Sequence, residues 1–129
     1  MLDEARKAGV YIVYSTSGTA GRGDIATLIA PEASDPIVTS GPDKFVKTDL
    51  QKLLDDKGIK TVIVTGTASE GAVLNTGSHA AFQGMNVVVP VDGMSSTDLY
   101  AEQYVAWHFT HAPGVSAKTT LTEFSKIKF

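Results

Sequence analysis

At 129 residues the chain has the length of one ordinary domain. Its 43% hydrophobic content supplies a core, though domains of this size have thin stability margins that oligomerisation widens. Eleven basic against fourteen acidic residues give a formal charge of -3, which offers no basic footprint for nucleic acid. No apolar run has membrane-spanning length, and the N-terminal stretch, acidic from the start, does not read as a signal peptide. The expectation is a cytoplasmic protein with neither nucleic acid nor membrane as partner. Zero cysteines exclude disulfides, thiolate metal sites and a cysteine nucleophile.

In chain order, "LDEARKAG" reads as a helix stopped by a left-handed cap at Gly9. "VYIVYS" (10–15) is a strand covered on both faces. Residues 16–36 concentrate Gly, Ser and Pro, and read as a long loop with a helical turn near Ile25–Ile29. Such a loop covers a site or a partner surface, or is a plain surface excursion; its "RGD" triplet is not read as adhesive. "PIVTS" is a short strand, and Thr48 with Gln51 forms a capping box for the helix "DLQKLLDDKG". Leu50, Leu53 and Leu54 share a face of that helix.

"IKTVIVTG" is the clearest parallel-strand signal. The following helix, 69–83, repeats Ala72, Val73, Thr76 and Ala80 at helical spacing. Gly71 and Gly77 each weaken it by about 1 kcal/mol relative to Ala, which close approach of backbone to a sheet or partner offsets. "MNVVVPV" is another buried strand, and Ser95 with Asp98 caps a helix running to Phe109. "VSA" reads as a last short strand, and Thr120 with Glu123 as the cap of a last helix carrying Leu121 and Phe124. Strands alternating with helices predict a three-layer α/β/α fold with a mostly parallel sheet and right-handed crossovers.

Ligand sites in such folds form beyond the carboxyl ends of the strands. Three segments qualify: "YSTSGTAGRGD", "TGTASEG" and "PVDGMSS". The middle one places unpaired N–H groups at a helix start, where a small carbonyl or carboxylate ligand would dock; the plainer alternative is that Ser69 merely caps that helix. No GxxxxGK[ST] or GxGxxG phosphate motif occurs, so no cofactor is expected. His79, His108 and His111 have no carboxylate at matching spacing, so no metal is expected either. Tyr100, Tyr104, Trp107 and His111 form a stripe that reads as core or oligomer contact, with a ligand-stacking wall as the alternative. Without a GxSxG elbow, the serines give no basis for a triad.

Several positions together carry a family resemblance: Phe45 with Thr48 and Leu50, then "VTG" at 64–66, then Ala68, Val73, Thr76, Ala80, Gly84 and Asp92. In this order and spacing the chain resembles the isochorismatase-like, or cysteine hydrolase, superfamily, which includes nicotinamidases. The resemblance implies a hydrolase using an Asp, a Lys and a Cys. The Asp belongs to a first strand to which no residues here correspond. The Lys position falls at Thr39 and Ser40, and neither Lys44 nor Lys47 takes that role in the pattern. The Cys position is Ala72, which has no lone pair for attack. Residues 67–69 lie where the family often has a cis peptide bond.

The resulting expectation is a single domain, 1–129, N-terminally truncated relative to the family and catalytically degenerate, with no catalytic residue and a homo-oligomeric state. Its vestigial or ligand-binding positions are Ser40, Thr67, Ala68, Ser69, Glu70, Gly71, Ala72 and Asp92. Glu70 fails as a substitute acid because a helix start favours its ionised form. The alternatives are a hydrolase of small amides or enol ethers using non-standard residues or a complementary subunit, and a small-molecule binding module. The family's sheet order resembles 3-2-1-4-5-6, so the absent strand leaves a slot between "VYIVY" and "TVIVT". That slot is closed by direct pairing, by a partner segment, or by residues outside this numbering.

Overall fold

The computed structural model describes all 129 residues. Its most buried strand is β5 (Asn86–Pro90), whose Val87 and Val89 are almost wholly shielded from solvent. The burial follows from pairing on both edges: β5 runs parallel to β3 (Thr61–Ile63) and to β7 (Thr119–Thr122). The Val87↔Thr119 and Val62↔Val87 registers stack β-branched side chains across the ladder. A second parallel pair joins β1 (Tyr14–Thr16) to β2 (Ile37–Thr39), and β4 (Gly66–Thr67) pairs with β6 (Met94–Ser95) beyond the carboxyl end of β3. Every ladder is parallel, and the helices complete a three-layer α/β/α arrangement.

The helices are α1 (Leu2–Lys7), α2 (Leu50–Asp56), α3 (Leu74–Phe82) and α4 (Leu99–His111). Asp98 caps α4 by accepting from the Tyr100 N–H at 2.8 Å. Val105 and Phe109, four apart and fully buried, make its inner face. Phe109 explains the expected glycine at 77: a Cβ there would lie 2.7 Å from the phenyl ring, so only a bare backbone fits beneath it. Gly71 meets no comparable obstacle. No helix is long and apolar enough to cross a membrane.

Several local expectations change. The first strand is ordered as a ladder only over 14–16, because nothing pairs with 10–13. The Thr48–Gln51 capping box does not form; Asp49 is the N-cap, while the Thr48 hydroxyl accepts from the Leu50 N–H and Gln51 reaches Asp55. The last strand is "TTLT", not "VSA", and the final helix shrinks to a single turn at Phe124–Lys126. Threonines suited to a pleated surface, paired along β5, outweigh the capping pattern there. The aromatic stripe is not core, since Tyr100 and Trp107 are 72% and 57% exposed.

The long loop contains two short turns, Arg22–Asp24 and Thr27–Ile29. Its "RGD" is spent internally: Arg22 donates to the carbonyls of Glu32 and Asp35, and Asp24 accepts from the Gly21 N–H. Arg6 of α1 clamps the loop's far end through Asp35 at 2.6 Å. That hydrogen bond holds the Asp35 carboxyl below the usual carboxylate range.

The order of strands is therefore β2-β1, then a break, then β3-β5-β7. The slot expected from the resemblance is present, and β1 and β3 do not close it by pairing directly.

Gly77→Ala is expected to lower stability by about 1–3 kcal/mol through overpacking against Phe109, read as a lower urea midpoint. Because the folded pKa of Asp35 is depressed, its contribution is complete above the ordinary aspartate value of 3.8 and is lost as pH falls through the folded value. Asp35→Asn should therefore flatten the loss of stability on acidification below that point, measured by denaturation at stepped pH.

Candidate ligand site at the carboxyl ends of β1, β2 and β3

The loop after β2 is built from its own short polar side chains. Ser40 Oγ donates to the carbonyls of Asp43 and Val46, and Asp43 Oδ1 accepts from the Phe45 N–H. Thr48 Oγ1 donates to the Lys44 carbonyl, and the Lys44 N–H donates to Thr76 Oγ1 of α3. These bonds coil the loop until the Lys44 side chain points inward, leaving it only 4% exposed. Its ammonium donates to the Thr16 carbonyl at 2.9 Å, to Ser17 Oγ at 2.7 Å and to the Ser40 carbonyl at 3.3 Å.

All three acceptors are neutral, and no carboxylate forms a salt bridge with Lys44. A buried cation without a counter-ion is costly, and desolvation lowers its pKa from the ordinary lysine value. Lys44 thus brings a charge to the Ser40 backbone, beside the position where the resemblance implied a lysine. Sequence reasoning missed it because a lysine between Asp43 and Phe45 carries no local mark of burial. The inward turn depends on Thr76, thirty-two residues away.

The segment 67–72 forms a second wall. The Thr67–Ala68 peptide bond is cis, within the stretch where the family often has one. Gly66 supplies the left-handed backbone before it, with φ of +124°. Ser69–Val73 then forms a π-helical turn that leads into α3. Ser69 does not cap that turn; its hydroxyl is fully buried and unpartnered. Glu70 is exposed in the first turn, Gly71 gives its carbonyl to Asn75 Nδ2 at 2.8 Å, and Ala72 presents a half-buried methyl. Thr67 Oγ1 donates weakly to the Ser95 carbonyl at 3.3 Å.

The remaining expected positions make contacts within the chain. Ser40 acts through its hydroxyl in the loop and its carbonyl on Lys44. Asp92 receives the Phe124 N–H at 2.9 Å and pins the C-terminal turn. A cavity of about 670 Å³ lies between β1 and β3, and Lys44, Ser15, Thr65 and Thr76 line it. None of the eight positions expected from sequence lines it.

The histidines assemble no catalytic relay. His79 Nδ1 meets Asp43 Oδ2 at 2.7 Å and stacks on Phe45, with no serine in the set. His108 Nε2 meets Ser78 Oγ at 3.3 Å without a carboxylate behind it. No three His, Asp or Glu side chains converge as metal ligands.

With its folded pKa lowered, Lys44 costs stability while it is protonated, and that cost is relieved as pH rises through the folded value toward 10.5. Native protein should gain stability over that alkaline window, and Lys44→Met should lose the gain, measured by denaturant titrations at stepped pH.

Comparison with known proteins agrees with this geometry. Residues 1–120 match the model of the Isochorismatase domain. A nicotinamidase from Staphylococcus aureus superposes with a TM-score of 0.76 at 21% identity, covering 88% of this chain and 77% of that one. An N-carbamoylsarcosine amidase from Thermoplasma acidophilum gives 0.82 at 19% identity, covering 99% and 80%. At such identities these likenesses show the fold alone. A secreted isochorismatase effector from Verticillium dahliae is 28% identical over 72 residues, 55% of this chain and 38% of the relative. The chain thus spans well under half the length of that curated relative. The match over residues 1–120 places this cysteine-free chain in the isochorismatase family.

Proposed function

We propose that this chain is a catalytically degenerate member of its family, one that holds a small carbonyl or carboxylate compound without cleaving it. The observation that carries the reading is Ala72. The π-helical turn after the cis peptide bears a methyl at the position the resemblance assigns to the nucleophile, and no thiol exists anywhere in the chain. Covalent catalysis needs an activated lone pair at that point. Neither histidine–polar pair on α3 forms a relay that would activate a hydroxyl in its place.

Ligand retention rests on Lys44. Its charge is buried beside Ser17 and Ser40 with only neutral partners, so an anion nearby would relieve the desolvated cation. Ala72 precedes Thr76 by four residues, and Thr76 touches the Lys44 backbone. In this reading the Lys44 loop and the 67–72 turn face a common space at the strand ends. The eight expected positions, Ser40, Thr67–Ala72 and Asp92, serve as its frame in this reading.

Self-association is part of this reading. Tyr100, Tyr104 and Trp107 recur on one face of α4, and Phe82 is 68% exposed at the end of α3. The single-domain reading is supported by one buried core to which β2, through Val38, and β5, through Val87 and Val89, both contribute.

The test pairs turnover with binding. Purified protein incubated with nicotinamide or with a vinyl ether is expected to give no product and no acyl adduct by intact mass. Nicotinate is expected to bind saturably in calorimetry, with affinity reduced about tenfold or more in Lys44→Met, the scale of one lost charge-assisted contact. Ala72→Cys alone should remain inactive, because no residue here corresponds to the Asp that the resemblance implies as the thiol's partner. Steady amide cleavage by the unaltered chain would overturn the proposal.

A further inference from the structure

Lys44 and Ser17 meet where β1 ends. The Lys44 Nζ lies 2.7 Å from Ser17 Oγ, 2.9 Å from the Thr16 carbonyl oxygen and 3.3 Å from that of Ser40. A protonated ammonium has three hydrogens and spends one on each of these acceptors. A neutral amine has two hydrogens and one lone pair. Carbonyl oxygens accept only, so the two hydrogens go to Thr16 and Ser40, and the lone pair is left for the Ser17 O–H. Loss of one proton therefore reverses the Ser17 contact with every heavy atom in place, and turns the lysine from a donor into a base. Burial with only neutral partners disfavours the charged form and lowers the lysine pKa, which enlarges the neutral fraction.

Ser17 is exposed and directly follows β1, at the end of a parallel strand where α/β folds place their chemistry. Its carbonyl accepts the Ala20 N–H at 3.2 Å, closing a turn in which Gly18 has a φ of +62°. The N–H groups of Gly18 and Thr19 within that turn donate to no backbone carbonyl. An N–H on the residue after a nucleophile is a recurrent donor to the oxyanion of an acyl intermediate. Other ionisable side chains around the pair are engaged elsewhere or face solvent. Asp43 of the lysine's own loop pairs with His79 of α3 at 2.7 Å, and Tyr14 of β1 receives Arg6 at 3.3 Å. Arg22 and Asp24 bond within the loop that Ser17 opens, while Lys47 and Asp49 are exposed.

We propose that Ser17 and Lys44 form a nucleophile–base pair that takes acyl groups from small activated esters. Neutral Lys44 Nζ accepts the Ser17 hydroxyl proton as Oγ bonds to the ester carbonyl carbon. The bond from that carbon to the leaving oxygen then breaks, an aryl oxide departs with the electron pair, and the acyl group stays on Ser17. The new ammonium gives its proton to water and the base is restored. A leaving group that departs as an anion needs no acid, so the pair is not called on to cleave amides. The proposal goes beyond anion retention, which uses the protonated form of the same lysine.

The test incubates the unaltered chain with p-nitrophenyl acetate, and separately with a fluorophosphonate ester, which phosphonylates activated serines with loss of fluoride. A burst of nitrophenolate equal to the protein concentration is expected, with the adducts of both probes mapped to Ser17 by peptide mass spectrometry. The labelling rate should rise with pH and level off below the ordinary lysine value of 10.5, because the neutral base is the active form and its pKa is lowered. Ser17→Ala should abolish the burst. Lys44→Met should slow fluorophosphonate labelling of Ser17 by about a hundredfold, the scale of a lost general base. Should that variant fold poorly, the pH profile of the unaltered chain reads the same base. Absence of the phosphonate from Ser17, equal labelling in Lys44→Met, or a rate still climbing above 10.5 would each overturn the proposal. Nicotinate binding enters none of these readouts, so retention and acyl transfer fail separately.

Discussion

A buried strand must find partners for its N–H and C=O groups, and this molecule meets that requirement in full only around β5. There the ladder is closed on both edges, and side chains of the α3 and α4 layer cover the sheet. Phe109 over Gly77 and Val87 is the tightest point of that cover. Where the ladder is closed, burial is nearly complete. Across the break, β1 and β2 form a separate parallel pair, held to the rest through side chains such as Phe45, Leu50 and Leu54 rather than through backbone. The architecture is thus two main sheets, with the small β4–β6 pair beyond them, that share a core without sharing a ladder.

The same division places the candidate site. Lys44 reaches across the carboxyl ends of β1 and β2 to Thr16 and Ser40, while residues 66–72 turn beyond the end of β3. The two sides are complementary in what they lack. One has a buried positive charge with only neutral acceptors, and the other has a methyl where covalent chemistry would need a lone pair. Such a pairing favours recognition over cleavage. Attraction of an anion needs only charge and space, whereas bond breaking needs an activated nucleophile. The unpartnered hydroxyl of Ser69 does not alter this, since it is buried within the turn that supports the wall.

Much of the fold was legible because its signals are local and periodic. The valine run of β5 and the leucine face of α2 each announce themselves within a dozen residues, whereas the cap of α4 is Asp98 alone and not the expected Ser95 with Asp98. Where local signals competed, tertiary pairing decided: Thr119–Thr122 became a strand because β5 offered an edge, against a capping pattern that pointed to a helix. The exposed aromatic stripe on α4 shows the opposite limit. Periodicity placed its residues on one face, but exposure was not written in the period.

The amino-acid order alone determined the family pattern, the parallel α/β class, the absence of any thiol and the alanine at 72, because each follows from residue identity and spacing. Only the folded chain decided that Lys44 is buried beside Ser40, that Asp92 ties down Phe124, and that β1 and β3 stay apart. Those outcomes depend on contacts between residues thirty or more positions apart, such as the Lys44 backbone with Thr76 and Asp92 with Phe124. No local propensity encodes such distances, since they arise from competition among partners for the same hydrogen bonds and the same buried volume.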